Sequence, residues 1–370
     1  MAFRMPNWSD LTDDQRKVIN LPLNKTNLVY GAPGTGKTVV ALMRLEKMAN
    51  AHKKVLLLVY NRPLMLYLKS AAEARNISAS VNTWMAWIDQ FYKEQKYREH
   101  PRVEAEKKFT YNWPQIHKDF KDIGIKYDHI IVDEAQDLPR ELIEALLLIS
   151  PTVSCLMDQN QMLQSDGSTL ADLEEVLQVR RAFSLHDNFR NPREIFEFAS
   201  LYGSIEDTKA VRESGQKPKF FKCTNDSQMI KRLLKVLRQN YDLETIGILT
   251  SHDKVQEIYE ALEGNVKDTE VFVYQSQDKD RRQLDFDRNG IYILSFGTMK
   301  GLEFDAVIIP YSGQIEYKPS RNGRTNPFYV AVTRAHEKLY CFYNGETGDS
   351  CVDVLTPLEA HKDLVEWEAL

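Results

Sequence analysis

Eight residues, Gly31-Ala32-Pro33-Gly34-Thr35-Gly36-Lys37-Thr38, constrain this chain more than any other stretch. They fit G-x-x-x-x-G-K-[ST]. They sit between a strand-like run, Asn27-Leu28-Val29-Tyr30, and a helical run over about residues 38–48 that is apolar at Val40, Leu42, Leu45 and Met48. Glycines allow backbone N–H groups to wrap a phosphate, and the helix N-terminus behind them adds partial positive charge. Lys37 is then placed to reach the outer phosphates of a nucleoside triphosphate, and the Thr38 hydroxyl to hold Mg2+. The alternative is a chance glycine turn before a helix. Strand, loop and helix occurring together argue against it.

A second stretch completes the first. His129-Ile130-Ile131-Val132-Asp133-Glu134-Ala135-Gln136-Asp137 is an apolar strand ending in acids. Asp133 is the expected partner of Thr38 at Mg2+, acting through the ion's water shell, because Mg2+ keeps most of its waters. Glu134 is expected to orient and deprotonate an attacking water. Asp137, just ahead of Leu138-Pro139, reads more simply as a helix N-cap.

With 370 residues the chain can bury a large core and suits two domains. No apolar run approaches the roughly 18 residues of a membrane span. The stretch Met1-Ala2-Phe3-Arg4-Met5-Pro6 lacks the apolar centre of a signal peptide. Cys155, Cys223, Cys341 and Cys351 make no C-x-x-C pair or metal spacing, and Cys155 and Cys341 lie in apolar runs as core residues do. A reduced, cytoplasmic setting is the expectation. The net charge of −5 is no signature of a strongly basic nucleic-acid binder, but it leaves room for a local basic groove. Candidate patches are Lys53-Lys54, residues 93–98 with Arg102, Lys107-Lys108, Lys231-Arg232 with Lys235 and Arg238, and residues 318–324. Each taken alone reads as a solvated face.

Strand-like runs alternate with helical patterns along the chain. Strands read at residues 28–30, 55–60, 130–133 and 153–157, then at 219–223, 246–249, 271–274, 291–296, 306–310 and 339–343. This alternation predicts an α/β protein with two mainly parallel sheets, each carrying helices on both faces. The expected domains are 1–183 and 184–370. The stretch at about 92–120, charged and mixed with Tyr and Trp, reads as a small insertion in the first. The tail Val365-Glu366-Trp367-Glu368-Ala369-Leu370 reads as ordinary packing or as a docking helix.

The order of further motifs resembles that of superfamily 1 helicases of the UvrD/Rep type, over about residues 11–343. Leu11-Thr12-Asp13-Asp14-Gln15 resembles the family's adenine-reading motif, which implies that Gln15 takes the base edge. Met157-Asp158-Gln159-Asn160-Gln161 resembles G-D-x-x-Q, with Gln161 sensing the γ-phosphate. Asn188-Phe189-Arg190 resembles Asn-Tyr-Arg, with Phe189 stacked on adenine and Arg190 at the γ-phosphate. Lys300-Gly301-Leu302-Glu303-Phe304 matches K-G-L-E-F, with Glu303 near the ribose. Tyr329-Val330-Ala331-Val332-Thr333-Arg334-Ala335 matches Y-V-A-x-T-R-A, with Arg334 as an arginine finger. For the nucleic-acid strand the resemblance points to Asn61, Arg62, Thr83, Trp84 and Thr298. Trp84 and Trp87, three apart, share a helix face and read equally well as core.

The resemblance implies two RecA-like P-loop NTPase domains, with ATP and Mg2+ held in the cleft between them. It implies an ATP-dependent translocase or helicase on single-stranded DNA with 3′→5′ polarity, RNA not being excluded. The chain departs from the family in three ways. Gln161 is followed by Met162-Leu163-Gln164-Ser165-Asp166-Gly167, with no aromatic residue. Phe296-Gly297 stand where Thr-His is usual. The gaps between motifs are too short for large accessory subdomains. These departures keep a second reading open: a nucleic-acid-stimulated ATPase switch or motor subunit that unwinds little without a protein partner, such as a nuclease or a repair or defence factor. A small-molecule kinase, the third reading, is opposed by Arg190, Arg334 and K-G-L-E-F.

Overall fold

The computed structural model describes residues 6–95, 101–102, 110–158, 161, 167–203, 208–213, 215–267, 269–274, 288–315, 327–344 and 355–368. Among these, residues 6–31 and 36–185 form one compact unit, and residues 32–35 and 186–368 form the other.

The first unit is a six-stranded, wholly parallel sheet. In chain order its strands are β1 (Asn27–Gly31), β2 (Val55–Val59), β3 (Ser80–Thr83), β4 (His129–Val132), β5 (Val153–Met157) and β6 (Phe183–Leu185), in spatial order β3-β2-β4-β5-β1-β6. The strands β2, β4 and β5 are buried at every residue, which is why their sequences are continuous apolar runs rather than alternating ones. Parallel strands need crossovers. These are supplied by α2 (Lys37–Asn50), α3 (Arg62–Ala74), α4 (Trp84–Glu94), α5 (Trp113–Ile123), α6 (Arg140–Ile149) and α7 (Leu170–Leu177), with α1 (Asp13–Ile19) ahead of the sheet. Asp133 follows β4 directly, Asp158 follows β5, and the glycine-rich loop follows β1. The carboxyl ends of three adjacent strands therefore converge, the usual place for a ligand in such sheets.

The second unit carries a seven-stranded, wholly parallel sheet. Its strands are β9 (Lys219–Cys223), β10 (Thr245–Thr250), β11 (Val271–Tyr274), β12 (Gly290–Ser295), β13 (Phe304–Ile309), β14 (Ala335–Asn344) and β15 (Glu366–Glu368), in spatial order β11-β12-β10-β13-β14-β9-β15. A separate parallel pair joins β7 (Asp187–Pro192) to β8 (Lys209–Arg212). The helices are α8 (Arg193–Ala199), α9 (Asp226–Arg238), α10 (Val255–Leu262) and α11 (Pro327–Val332). No helix among the described residues is long and apolar enough to cross a membrane.

Two expectations are corrected. The described part of 92–120 contributes to the core: Tyr92, Tyr111, Ile116 and Phe120 belong to the first unit's main apolar cluster. Asn112 caps α5, and its apolar stripe (Ile116, Phe120) is masked in the sequence by the lysines of the opposite face. Asp137 is no helix cap. It is buried in a tight turn after Glu134, and Pro139 occupies the cap position of α6. In the tail, Glu366–Glu368 forms strand β15 and pairs with Lys219–Phe221, which is ordinary packing rather than a docking helix; alternation in Val365-Glu366-Trp367-Glu368 is the strand signal that was readable. Cys155, Cys223 and Cys341 are free and buried; Cys351 lies outside the described residues.

Candidate nucleotide site

The loop's chemistry begins with its backbone. Gly34 (φ 75°) and Gly36 (φ 83°) lie in the left-handed region. The positive φ at Gly36 favours glycine, and a Cβ there would also displace the Gln15 amide nitrogen, 2.5 Å away. Helix α2 starts at Lys37. The Lys37 ammonium donates to Gly31 O at 2.8 Å and stands 3.6 Å from the Asp158 carboxylate. Both side chains are almost fully buried, so the cation is compensated within the unit before any phosphate arrives.

The structure brings Thr38 and Asp133 together: the Thr38 hydroxyl donates to Asp133 Oδ2 at 2.8 Å. Asp133 is fully buried. Burial, then the neighbouring Glu134 charge, pushes its carboxyl up to about 6, against the pull of Thr38 and Lys37. A buried carboxylate touching a hydroxyl, both oxygen donors, fits a hard divalent cation such as Mg2+, which would relieve the desolvation that raises this carboxyl.

Glu134 sits at φ 56°, a left-handed conformation uncommon for a side-chain-bearing residue. Its Oε2 accepts from the Gln136 side-chain amide at 2.6 Å, and the Gln136 carbonyl oxygen accepts from the Asp158 backbone N–H at 3.0 Å. Gln136 is wholly buried. The sequence reading gives Gln136 and Asp158 no role of their own; the signal available was a polar side chain two residues past Glu134 in a turn that must bury. Gln161 is also buried, its N–H bonded to Asp158 O at 3.1 Å. Residues 159, 160 and 162–166 of that motif lie outside the described residues.

Gln15 is buried at the start of α1, where it and Thr12 cap each other: Gln15 N donates to Thr12 Oγ1 at 3.1 Å, and Thr12 N to Gln15 Oε1 at 3.0 Å. The other end of α1 is held by Arg44, whose Nη1 donates to Val18 O (2.8 Å) and Leu21 O (3.2 Å). Burial pulls this guanidinium down to about 10, so it stays charged at neutral pH. Sequence reasoning misses it, although an arginine between Met43 and Leu45 on the apolar face of α2 was the available clue.

In the second unit, the loop tip Ala32–Thr35 packs with β7: Asn188 Nδ2 donates to Pro33 O (2.9 Å) and Phe189 N to Gly34 O (2.9 Å). Arg190 Nε donates to Glu303 Oε2 at 2.7 Å. Burial raises the Glu303 carboxyl, but the Arg190 charge and hydrogen bond outweigh it and hold it below the usual range. Phe189 is half-buried. Arg334 is buried on its own unit: Nε donates to Val330 O (3.0 Å), Nη1 to Leu302 O (3.3 Å) and Nη2 to Thr333 Oγ1 (3.3 Å). Asn191, another residue the sequence reading passes over, straps the backbone on both sides of Arg334 by donating to Thr333 O and Ala335 O. Asp305, His336 and Glu337 cluster nearby, but Arg212 Nη1 lies 2.8 Å from His336 Nε2, where a cation already stands.

The proposed nucleic-acid residues are scattered by role. Asn61 and Thr83 are N-caps of α3 and α4, accepting from Leu64 N (2.9 Å) and Ala86 N (3.4 Å). Arg62 is exposed. Thr298 is half-buried, its hydroxyl on Ser295 O (3.0 Å). Trp84 is corrected to core: it is 6% exposed and packs against Tyr111 and Trp113, ring centroids 5.4 and 6.2 Å away, so its faces are not open to a base. The patches at 103–109 and 318–324 lie outside the described residues.

Comparison with known proteins follows the same lines. The family model for the Schlafen group 3 DNA/RNA helicase domain matches residues 24–338. A putative ATP-dependent DNA helicase, R568, of Acanthamoeba polyphaga mimivirus is 26% identical over 248 residues, covering 60% of this chain and 35% of that protein. The chain thus spans about a third of that relative's length. Among solved structures, S. cerevisiae Dbp5 bound to RNA and ADP BeF3 matches with TM-score 0.59 at 14% identity, over 98% of this chain and 90% of that one. A variant of the same protein gives 0.56 at 14% identity, over 98% and 95%. These likenesses show the fold, that of RecA-like helicase domains. Over most of its length, this chain belongs to the Schlafen group 3 DNA/RNA helicase domain family.

Proposed function

We propose that this chain is a nucleic-acid-stimulated ATPase that moves along a single strand, of superfamily 1 UvrD/Rep type, with 3′→5′ polarity on DNA and with functional halves at 1–183 and 184–370. The observation that carries the ATPase reading is the convergence of Lys37, the Thr38–Asp133 pair and the Glu134–Gln136 pair at the carboxyl ends of β1 and β4. The bound magnesium ion would supply positive charge beside the phosphates, held from Thr38 and Asp133. Gly31 to Gly36 would offer backbone N–H groups to the phosphates, and Lys37 would exchange its Gly31 contact for the outer phosphate. Glu134 would take the proton of a water whose oxygen bonds the terminal phosphorus as the bond to the departing ADP breaks. Gln15 and Phe189 would address the adenine, Glu303 the ribose, and Gln161, Arg190 and Arg334 the γ-phosphate; these roles rest on the motif resemblance.

The mimivirus relative's description as a DNA helicase supports DNA, while the RNA bound to Dbp5 keeps RNA as an arm of the test. The burial of Trp84 removes one expected base-stacking platform, and it favours the second reading: a switch or motor subunit that unwinds little without a protein partner. Steady-state ATP hydrolysis, measured without nucleic acid and with single-stranded DNA, duplex DNA and single-stranded RNA at two salt concentrations, tests the proposal. Stimulation by single-stranded DNA that fades at high salt supports the strand motor. Hydrolysis indifferent to every nucleic acid overturns it and turns the search to a protein partner.

A further inference from the structure

We infer that Gln136 is the positioning residue of the hydrolytic site: it orients the Glu134 carboxylate and ties it to the segment that pairs with Lys37. The inference rests on the ATPase reading above. Gln136 is wholly buried and its amide is used at both ends. The nitrogen must face Glu134, because only a donor satisfies a carboxylate, and the oxygen must face Asp158 N, because only an acceptor satisfies an N–H. A flipped amide would set oxygen against oxygen and N–H against N–H. The two partners therefore fix the side chain in one orientation, and it in turn fixes Glu134 Oε2.

Glu134 has particular need of such a fixture. Its backbone is left-handed, so its side chain leaves the turn in a direction that ordinary rotamer preferences do not set. The Gln136–Glu134 bond, at 2.6 Å, is short and charge-assisted, stronger than a neutral amide bond. The same amide holds Asp158 N, and the Asp158 carboxylate stands 3.6 Å from Lys37. One side chain thus sets the spacing between the group that accepts the water's proton and the group that pairs the phosphate-binding lysine. All of these contacts lie within the first unit. Proton transfer is steep in distance and direction, so an untethered Glu134 would spend most of its time off the productive line.

The test uses the full chain with Gln136→Met, Gln136→Glu, Glu134→Gln and the Glu134→Gln/Gln136→Met double variant. Methionine keeps the length and suits a buried place but makes neither hydrogen bond; glutamate keeps the shape and the acceptor but opposes Glu134. Binding of a fluorescent non-hydrolysable ATP analogue and single-turnover hydrolysis are read for each, with thermal melting as the check on folding. Both Gln136 variants are expected to lose about tenfold or more in turnover, with analogue affinity within about threefold. In the Glu134→Gln background, Gln136→Met is expected to change turnover by less than about twofold, since there is no base left to aim. Turnover unchanged in both Gln136 variants would overturn the inference, as would equal losses of turnover and affinity, or a full additional loss in the double variant. Should one substitution melt the protein, the other still decides. Undiminished hydrolysis in Glu134→Gln would overturn Glu134 as the base, and the inference with it, whereas a wild-type chain that hydrolyses no ATP would overturn the ATPase reading itself.

Discussion

The cationic side chains of the two units are held differently. In the first unit Lys37 already stands among the groups it is to work with: Gly31 O, Asp158 and, one residue on, the Thr38–Asp133 contact. In the second unit Arg190 and Arg334 are engaged with their own surroundings, Arg190 on Glu303 and Arg334 on Val330 O, Leu302 O and the Thr333 hydroxyl. On the proposed reading Lys37 gives up a single carbonyl contact to reach a phosphate, whereas Arg190 must leave a carboxylate and Arg334 three oxygens. The comparison teaches that motif identity alone does not give readiness. A buried lysine over a phosphate loop has one productive place to be, whereas an arginine with five donors satisfies itself locally.

The largest expected effect tests the second half of that comparison. Arg334→Ala should lower ATP turnover by about 10³-fold, the order associated with an arginine finger, while ATP affinity changes far less. Parallel losses in both would mean that Arg334 serves mainly as the tie between Val330 O and Leu302 O, and the comparison would then describe a structural arginine. The next effect tests the first half. Glu134→Gln should cost about 10²–10³-fold in hydrolysis with ATP still bound, because Lys37, Thr38 and Asp133 remain. Normal turnover in that variant would remove Glu134 from the site.

What was legible in the sequence follows the same division. The first unit's loop and acid pair are contiguous motifs flanked by buried strands, so Gly31 to Thr38 and Asp133-Glu134 announce both place and chemistry. The continuous apolar runs of β2, β4 and β5 mark a parallel sheet without help from coordinates. Gln136, Arg44 and Asn191 were not legible, because each acts through partners remote in sequence: Asp158 for Gln136, Val18 and Leu21 for Arg44, Thr333 and Ala335 for Asn191. Residues 110–120 were misread because surface lysines hide a half-buried helix, and Trp84 was left open between core and strand because helical spacing does not reveal which face meets the core.

Trp84 offers the next smaller test, one that keeps fold and strand binding apart. Trp84→Ala should destabilise the protein by about 3 kcal/mol, the lower end for removing a large buried aromatic side chain, measured by denaturant unfolding. Trp84→Phe should cost much less and leave any stimulation of hydrolysis by single-stranded DNA intact. A folded Trp84→Phe protein that hydrolyses ATP but no longer responds to DNA would put the ring back on the strand.

The smallest effect concerns the far end of the strands that carry the site. His129 opens β4, whose other end leads into Asp133, and its ring lies between Thr152 Oγ1 (2.7 Å) and Ser154 Oγ (2.9 Å). Burial, then the nearby Arg44 charge, pulls its pKa down to about 4 from the ordinary 6.5. The folded protein therefore keeps this ring neutral where the unfolded chain would take up a proton. Stability from His129 is fully present above about pH 6.5, falls as the pH drops towards 4, and is gone below that, about 2–3 kcal/mol in all. Because the ring lies in the first unit, hydrogen exchange between pH 7 and 4.5 should show β4 and β5 losing protection before β10 and β13 of the second unit. Carboxylates titrate in part of the same range, so the measurement is made against His129→Gln, which should flatten the first unit's response. A variant with the wild-type pH response would place the titrating group elsewhere, and the two units would then differ in how they hold their cations but not in how they meet acid.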